Sequence, residues 1–176
     1  MRITGGRLGG RRIVAPRGQS TRPTSDRVRE ALFQILGDLH GARVLDLYAG
    51  SGALGLEALS RGAVHATFVD SAGPAITAIR RNLNALGLGA EVRRSDARAF
   101  LRNARAAARF YDLVLLDPPD RLAAGLGREL SELVPPVLAT AGRAVAEGDR
   151  RSPLELDLPL LDERRYGDTT IRIHGT

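Results

Sequence analysis

From residue 43 onward the chain alternates short apolar runs with segments whose apolar positions recur at helical spacing. The runs 43–47, 66–70, 91–94, 111–116 and 143–147 predict strands, and the stretches 53–61, 74–86, 97–108 and 127–134 between them predict helices. Strands separated by helices of this length imply right-handed crossovers and a parallel sheet covered on both faces. The expected fold is a doubly wound α/β domain. After Pro159 the rhythm changes, and residues 163–166 and 169–174 flanking Gly167-Asp168 predict a closing antiparallel hairpin. Upstream, Gly5-Gly6 and Gly9-Gly10 cut the chain into short pieces with turn signals, which predicts a small β-hairpin from Arg2 to Val14 and then a loop to Pro23. Thr24 or Ser25 is placed to cap a helix with Val28, Ala31, Leu32, Ile35 and Leu36 on one face, ending near Gly37. The organisation expected is an arm over residues 1–24 and an α/β domain over residues 25–176.

Composition narrows the chemistry. With 43% hydrophobic and 26% charged residues over 176 positions, the chain has a globular rather than a disordered balance. It carries 26 basic and 20 acidic residues, a net charge of +6, and every basic residue is arginine. Residues 1–30 hold eight arginines against Asp26 and Glu30, so the whole excess falls in the arm and the helix that follows. Such clustering is the footprint of a surface that neutralises nucleic-acid phosphates; a merely solvated arginine-rich surface is the plainer alternative. Without lysine there is no P-loop ammonium, Schiff base or lysine general base, and without cysteine no thiolate nucleophile, disulfide or iron–sulfur cluster. His40, His65 and His174 are too scattered for a zinc helix, so metal catalysis is not expected. No run approaches the roughly 20 apolar residues that span a bilayer, and residues 1–20 lack a signal-peptide core, which makes a cytoplasmic location the expectation.

The first strand of the domain leads into Asp46-Leu47-Tyr48-Ala49-Gly50-Ser51-Gly52-Ala53-Leu54-Gly55, and Asp70 follows Gly50 by 20 residues at the end of the second strand. On spacing alone this is a dinucleotide fingerprint, with the ligand beyond the carboxyl ends of the strands. Asp46 changes the choice of ligand. A carboxylate there repels a pyrophosphate and attracts the ammonium and sulfonium of S-adenosylmethionine. Asp70 is placed to accept hydrogen bonds from ribose hydroxyls. Asp96, just past the third strand, is placed to accept from the adenine amino group, to cap the helix that follows, or both. Asp46 has its own alternative, as a partner of the helix dipole alone.

The fourth strand ends in Asp117-Pro118-Pro119-Asp120. Paired prolines take the chain out of the sheet in a stiff conformation and leave acceptors without backbone donors. The amino group of a base is a weak nucleophile because its lone pair is delocalised into the ring. Holding its hydrogens between the Asp117 carboxylate and a carbonyl such as that of Pro118 orients the nitrogen for in-line methyl transfer, once the base has left its stack. A proline-terminated strand followed by an aspartate turn is the bland alternative.

With both motifs in place the chain resembles the class I S-adenosylmethionine-dependent methyltransferases that modify amino groups. More narrowly it resembles the RsmD family, bacterial 16S rRNA guanine-N2 methyltransferases. The resemblance rests on Arg2-Ile3-Thr4-Gly5-Gly6, Gly10-Arg11-Arg12, residues 21–33, residues 46–63 and Arg165-Tyr166-Gly167-Asp168-Thr169-Thr170. It implies a Rossmann-like seven-stranded sheet and S-adenosylmethionine bound by Asp46, Tyr48, Ala49, Gly50, Gly52, Asp70, Ser71, Asp96 and Ala97. It further implies catalysis by Asp117, Pro118 and Pro119, and 16S rRNA of the small ribosomal subunit, or its assembly intermediate, as partner. The RNA contacts expected are Arg7, Arg11, Arg12, Arg22 and Thr24, and the protein is expected to be a monomer. One position departs from the family pattern: Asp120 stands where an aromatic residue is expected to stack on the flipped base, so Tyr48 or the Arg121 plane becomes the candidate for stacking. Three rivals follow from the same residues. They are an adenine-N6 DNA methyltransferase, an RNA-binding assembly factor that keeps the pocket without transferring methyl groups, and a nicotinamide dehydrogenase, which Asp46 disfavours.

Overall fold

The computed structural model describes residues 1–16 and 25–175, apart from the side chains of Asp120, Arg121 and Ala124. Arg22, Thr24 and the loop expected to reach Pro23 lie outside the described residues.

Helix α1 (Asp26–Leu36) is capped by Ser25, whose hydroxyl accepts the Val28 amide at 3.2 Å. The domain then runs β1 (Arg43–Leu47), α2 (Ala53–Ser60), β2 (His65–Asp70), α3 (Gly73–Leu86), β3 (Glu91–Arg94), α4 (Ala97–Ala106), β4 (Tyr111–Leu116), α5 (Asp120–Leu133), β5 (Leu138–Asp149), β6 (Leu160–Tyr166) and β7 (Thr169–Gly175). These strands form one sheet in the order β3-β2-β1-β4-β5-β7-β6. β1 to β5 pair in parallel, and β7 lies antiparallel between β5 and β6. Alternating side chains divide the core in two. Val44 and Phe68 pack with α1, α2 and α3, whereas Leu45, Leu47 and Val69 pack with α4 and α5. Because strand order reverses between β1 and β4, the crevice for a ligand opens at their carboxyl ends. Among the described residues no helix is long and apolar enough to cross a membrane.

Three expectations are corrected. The hairpin from Arg2 to Val14 is reduced to a single antiparallel bridge, Arg2 with Arg12, around a 3-10 turn at Gly6–Leu8. The two sides still exchange bonds from Ile3 N to Arg11 O, Gly10 N to Ile3 O and Ile13 N to Met1 O, but the ladder goes no further because the Arg11 amide donates to the Leu8 carbonyl within the turn. Helix α5 starts at Asp120, seven residues earlier than residue 127, because Ala123, Leu126 and Leu130 already form its buried stripe. Gly127, which read as a helix start, is a point of close packing: a Cβ there would lie 2.2 Å from the Glu155 carbonyl oxygen. Strand β5 extends back to Leu138 through an irregularity that leaves Ala141 at φ 59°, a break that hid its first half from a pattern reading.

Candidate active site

The register of the sheet sets the candidate carboxylates side by side. Leu47 of β1 pairs with Val69 of β2 and Leu116 of β4, so Tyr48, Asp70 and Asp117 are the next positions on three adjacent strands. Asp70 pairs in turn with Arg94 of β3, two residues before Asp96. Asp96, Asp70 and Asp117 therefore stand in one row along the carboxyl edge, with Asp46 set back within β1, level with Phe68 and Leu115.

The glycine loop is built around two of them. Gly50 and Gly52 have φ of 55° and 79°, backbone that favours glycine, and a Cβ at Gly50 would meet nothing nearer than 3.9 Å, so the backbone faces open space there. Gly55 serves packing, since a Cβ would sit 2.4 Å from the Phe68 ring. The Asp70 carboxylate accepts the Gly50 amide at 2.9 Å and the Ala72 amide at 2.8 Å, which ties the loop to the end of β2. The Ser71 carbonyl accepts from Arg94 Nε at 3.2 Å. Ala49 donates its amide to Val69 at 3.1 Å. Tyr48 takes φ 60°, and its phenol is pushed up to about 12 by burial first and then by the negative charge of Asp96.

Asp46 is 1% exposed and accepts the Gly55 amide, in the first turn of α2, at 2.9 Å. The helix-terminus role anticipated as its alternative is thus present. Burial pushes the carboxyl up to about 8, and the nearby Asp70 charge adds to the rise against the Gly55 hydrogen bond. Among the described residues no arginine forms an ion pair with it. A buried acid of this kind suits a cationic ligand and opposes an anionic one, so the residues present fit S-adenosylmethionine better than a pyrophosphate.

Asp96 caps α4, accepting the Arg98 amide at 3.0 Å and the Ala99 amide at 3.1 Å, and pairs with the Arg98 guanidinium at 3.2 Å. Its slight burial acts upward, but the Arg98 and Ala99 hydrogen bonds outweigh it and hold the carboxyl below the usual range. Ala97 is buried behind it. Past β4, Asp117 is half-buried and Pro118 buried; Pro119 caps α5, and its carbonyl accepts the Leu122 amide at 2.8 Å. The Pro118 carbonyl precedes the helix. The structure adds that Asp120 is the first residue of α5; its side chain and that of Arg121 lie outside the description.

Of the expected RNA contacts, Arg7 and Arg12 are exposed, and Arg11 is exposed with one guanidinium nitrogen donating to the Ala85 carbonyl at 3.0 Å. Ile3 and Ile13 of the same segment are buried in the core beside α2 and α3. The sequence reading missed what fastens it. Glu57, fully buried on α2, accepts from Thr4 N, Thr4 Oγ1 and Gly5 N, each at 2.8 Å, and pairs with Arg61 at 2.9 Å and with the fully buried Arg29 at 3.4 Å. Arg29 also reaches Asp26 at 2.9 Å and donates to the Arg2 carbonyl. Asn82 on α3, 2% exposed, holds the other end of the segment at Val14. Two cavities lie elsewhere, one of about 280 Å³ at the amino ends of β1 and β4 and one of about 760 Å³ between α5 and residues 151–157; neither is lined by the motif residues.

A family model described as conserved hypothetical protein 95 matches residues 1–175. YlbH of Bacillus subtilis is 39% identical over 182 residues, covering 99% of this chain and 98% of its own length. Ribosomal RNA small subunit methyltransferase D of Escherichia coli is 42% identical over 123 residues, 69% of this chain. The chain belongs to the RsmD family. The match to the Escherichia coli member of that family spans 61% of that protein's length. The family fold extends over the whole molecule: a protein of Thermus thermophilus, 31% identical, superimposes with a TM-score of 0.87 over 100% of this chain and 99% of that one.

Proposed function

We propose that this RsmD-family chain transfers a methyl group from S-adenosylmethionine to the exocyclic N2 of a guanine in the 16S rRNA of the small ribosomal subunit, acting in the cytoplasm as a monomer. The observation that carries this reading is the buried Asp46 near the carboxyl end of β1, one strand from Asp117-Pro118-Pro119 just past the end of β4. When bound, S-adenosylmethionine supplies an electron-poor methyl carbon on a sulfonium. Asp46 favours the cation, through the charge of its carboxylate and through the loop it holds at Gly55. Asp70, already fixed by two amides, keeps lone pairs for the ribose hydroxyls, and Asp96, whose Oδ1 holds the Arg98 and Ala99 amides and whose Oδ2 takes Arg98 Nη2 at 3.3 Å, has a remaining Oδ2 lone pair for the adenine amino group. Asp117 and the Pro118 carbonyl accept the two hydrogens of the guanine amino group and aim its nitrogen; Asp117 takes up a proton as positive charge develops there. Residues 1–24, through Arg7, Arg11, Arg12, Arg22 and Thr24, contact the RNA backbone and bring the flipped base to the crevice. The name of the Escherichia coli relative supports the choice of substrate.

A second reading, an assembly factor that binds donor and RNA without transfer, is favoured by Asp120 alone, because a carboxylate offers no face for stacking. The two are separated by incubating the protein with labelled donor and small subunits from a strain lacking its own family member. Label enters RNA with the wild type and is lost in Asp117→Ala while calorimetric donor binding persists. Donor and RNA binding without label supports the assembly factor, and NAD binding in place of S-adenosylmethionine overturns both.

A further inference from the structure

The arginine-bearing segment and the cofactor loop meet on one side chain. Asn82 Oδ1 accepts the Val14 amide at 2.8 Å, and its Nδ2 donates to the Val14 carbonyl at 3.0 Å and to the Ser51 carbonyl, between Gly50 and Gly52, at 2.9 Å. A carboxamide is suited to this place because it carries an acceptor and two donors on one rigid plane; aspartate lacks the donors and leucine lacks all three groups. Buried at 2% exposure, these bonds do not compete with water. The other end of the segment reaches the same loop, since the Ser51 hydroxyl contacts Met1 Sδ at 3.5 Å and the Ile13 amide donates to the Met1 carbonyl at 3.1 Å. Arg11 and Arg12 lie three and two residues before Val14, so a shift at Val14 moves their guanidinium groups relative to the loop.

We infer that Asn82 is a positioning residue: it sets the amino-terminal segment in register with the cofactor loop, so that RNA held by the arginines presents its target base at the correct place over the crevice. This rests on the proposed reading of the segment as an RNA contact. Asn82 touches neither substrate, and its effect passes through Val14 and Ser51.

The test uses the full chain in four forms: wild type, Asn82→Ala, Val14→Pro and the double variant Arg7→Gln/Arg12→Gln. Val14 has an exposed side chain, so proline there removes chiefly the amide that Asn82 accepts. Small subunits from a strain lacking its own family member are the probe. Their affinity is measured by co-sedimentation, KM and kcat by labelled-donor turnover, and donor affinity by calorimetry. Both Asn82→Ala and Val14→Pro are expected to weaken subunit affinity and raise KM about tenfold, with donor affinity in Val14→Pro within about twofold of wild type. A merely structural amide lowers the active fraction, and hence kcat, while leaving KM and subunit affinity unchanged; that result overturns the inference. If Asn82→Ala does not melt cooperatively, Val14→Pro decides. If the arginine double variant leaves subunit affinity unchanged, the RNA reading of the segment fails and takes the inference with it. If the arginines matter and the Val14 and Asn82 variants do not, only the positioning role falls. Co-sedimentation needs no turnover, so an inactive wild type refutes the enzymatic reading and still leaves the affinity test decisive.

Discussion

Asp46 and Gly55 are joined across the glycine loop by a 2.9 Å hydrogen bond from the Gly55 amide to a carboxyl that the protein buries almost completely. In the ligand-free protein this carboxyl holds its proton to about pH 8, against an ordinary value of 3.8. The unfolded chain gives up that proton near pH 4, so the group costs the folded state increasing stability as pH rises from about 4 to about 8. Asn keeps an acceptor for Gly55 and has no such proton to hold. Asp46→Asn is therefore expected to raise the melting temperature of the ligand-free protein at pH 7 to 8, by an amount corresponding to about 1–3 kcal/mol, and to leave it little changed near pH 4.

The same variant reports on the donor. A cationic ligand stabilises the ionised carboxylate, so donor binding releases a proton and affinity climbs with pH until about 8, then levels. Calorimetry across pH 6 to 9 is expected to show this rise in the wild type and a weaker, flatter affinity in Asp46→Asn. A flat wild-type profile removes Asp46 from donor recognition.

Glu57 and Arg29 form a fully buried ion pair that also carries two backbone amides of the amino-terminal segment. Removing Glu57 leaves the buried Arg29 with only the partly exposed Asp26 opposite it and strips the Thr4 and Gly5 amides of their acceptor, so Glu57→Ala is expected to cost about 3 kcal/mol in urea unfolding. Removing both charges with Arg29→Met/Glu57→Met is expected to recover part of that loss, since replacing a buried pair by apolar groups is often nearly neutral. Equal loss in the single and double variants contradicts the pairing.

Asp120, the first residue of α5, stands where the family resemblance expects an aromatic residue. Asp120→Tyr is expected to raise turnover on small subunits by providing a face of about 1–3 kcal/mol in stacking for the extruded base. Unchanged or lower turnover removes the stacking explanation.

What the sequence disclosed and what it hid have separate physical origins. Strands β1, β3 and β4 read clearly because each is a compact run closed by a turn, and Asp70 was legible because its distance from Gly50 is fixed by one helix crossover. Asp96 declared itself by its place before a helix, and its cap is present. Glu57 gave no such signal. A charged residue in a helix ordinarily marks the solvent face, yet seven of the eight residues of α2 are buried, and besides Arg61 one turn on, the donors to Glu57 come from Thr4, Gly5 and Arg29, between twenty-eight and fifty-three positions away. Asn82 was hidden for the same reason: its partners at Val14 and Ser51 are brought to it only by tertiary packing. The first half of α5 lay outside the expected helix, which began at Gly127, although the close approach of Glu155 places that glycine well inside the helix.

The most direct test of the central claim is the identity of the methylated nucleotide. Small subunits from a strain lacking its own family member are incubated with this protein and isotopically labelled S-adenosylmethionine, and the rRNA is digested to nucleosides and read by mass spectrometry. The account predicts one labelled N2-methylguanosine in small-subunit rRNA, absent with Asp117→Ala. Label on any other atom or base, or donor binding with no label at all, contradicts it.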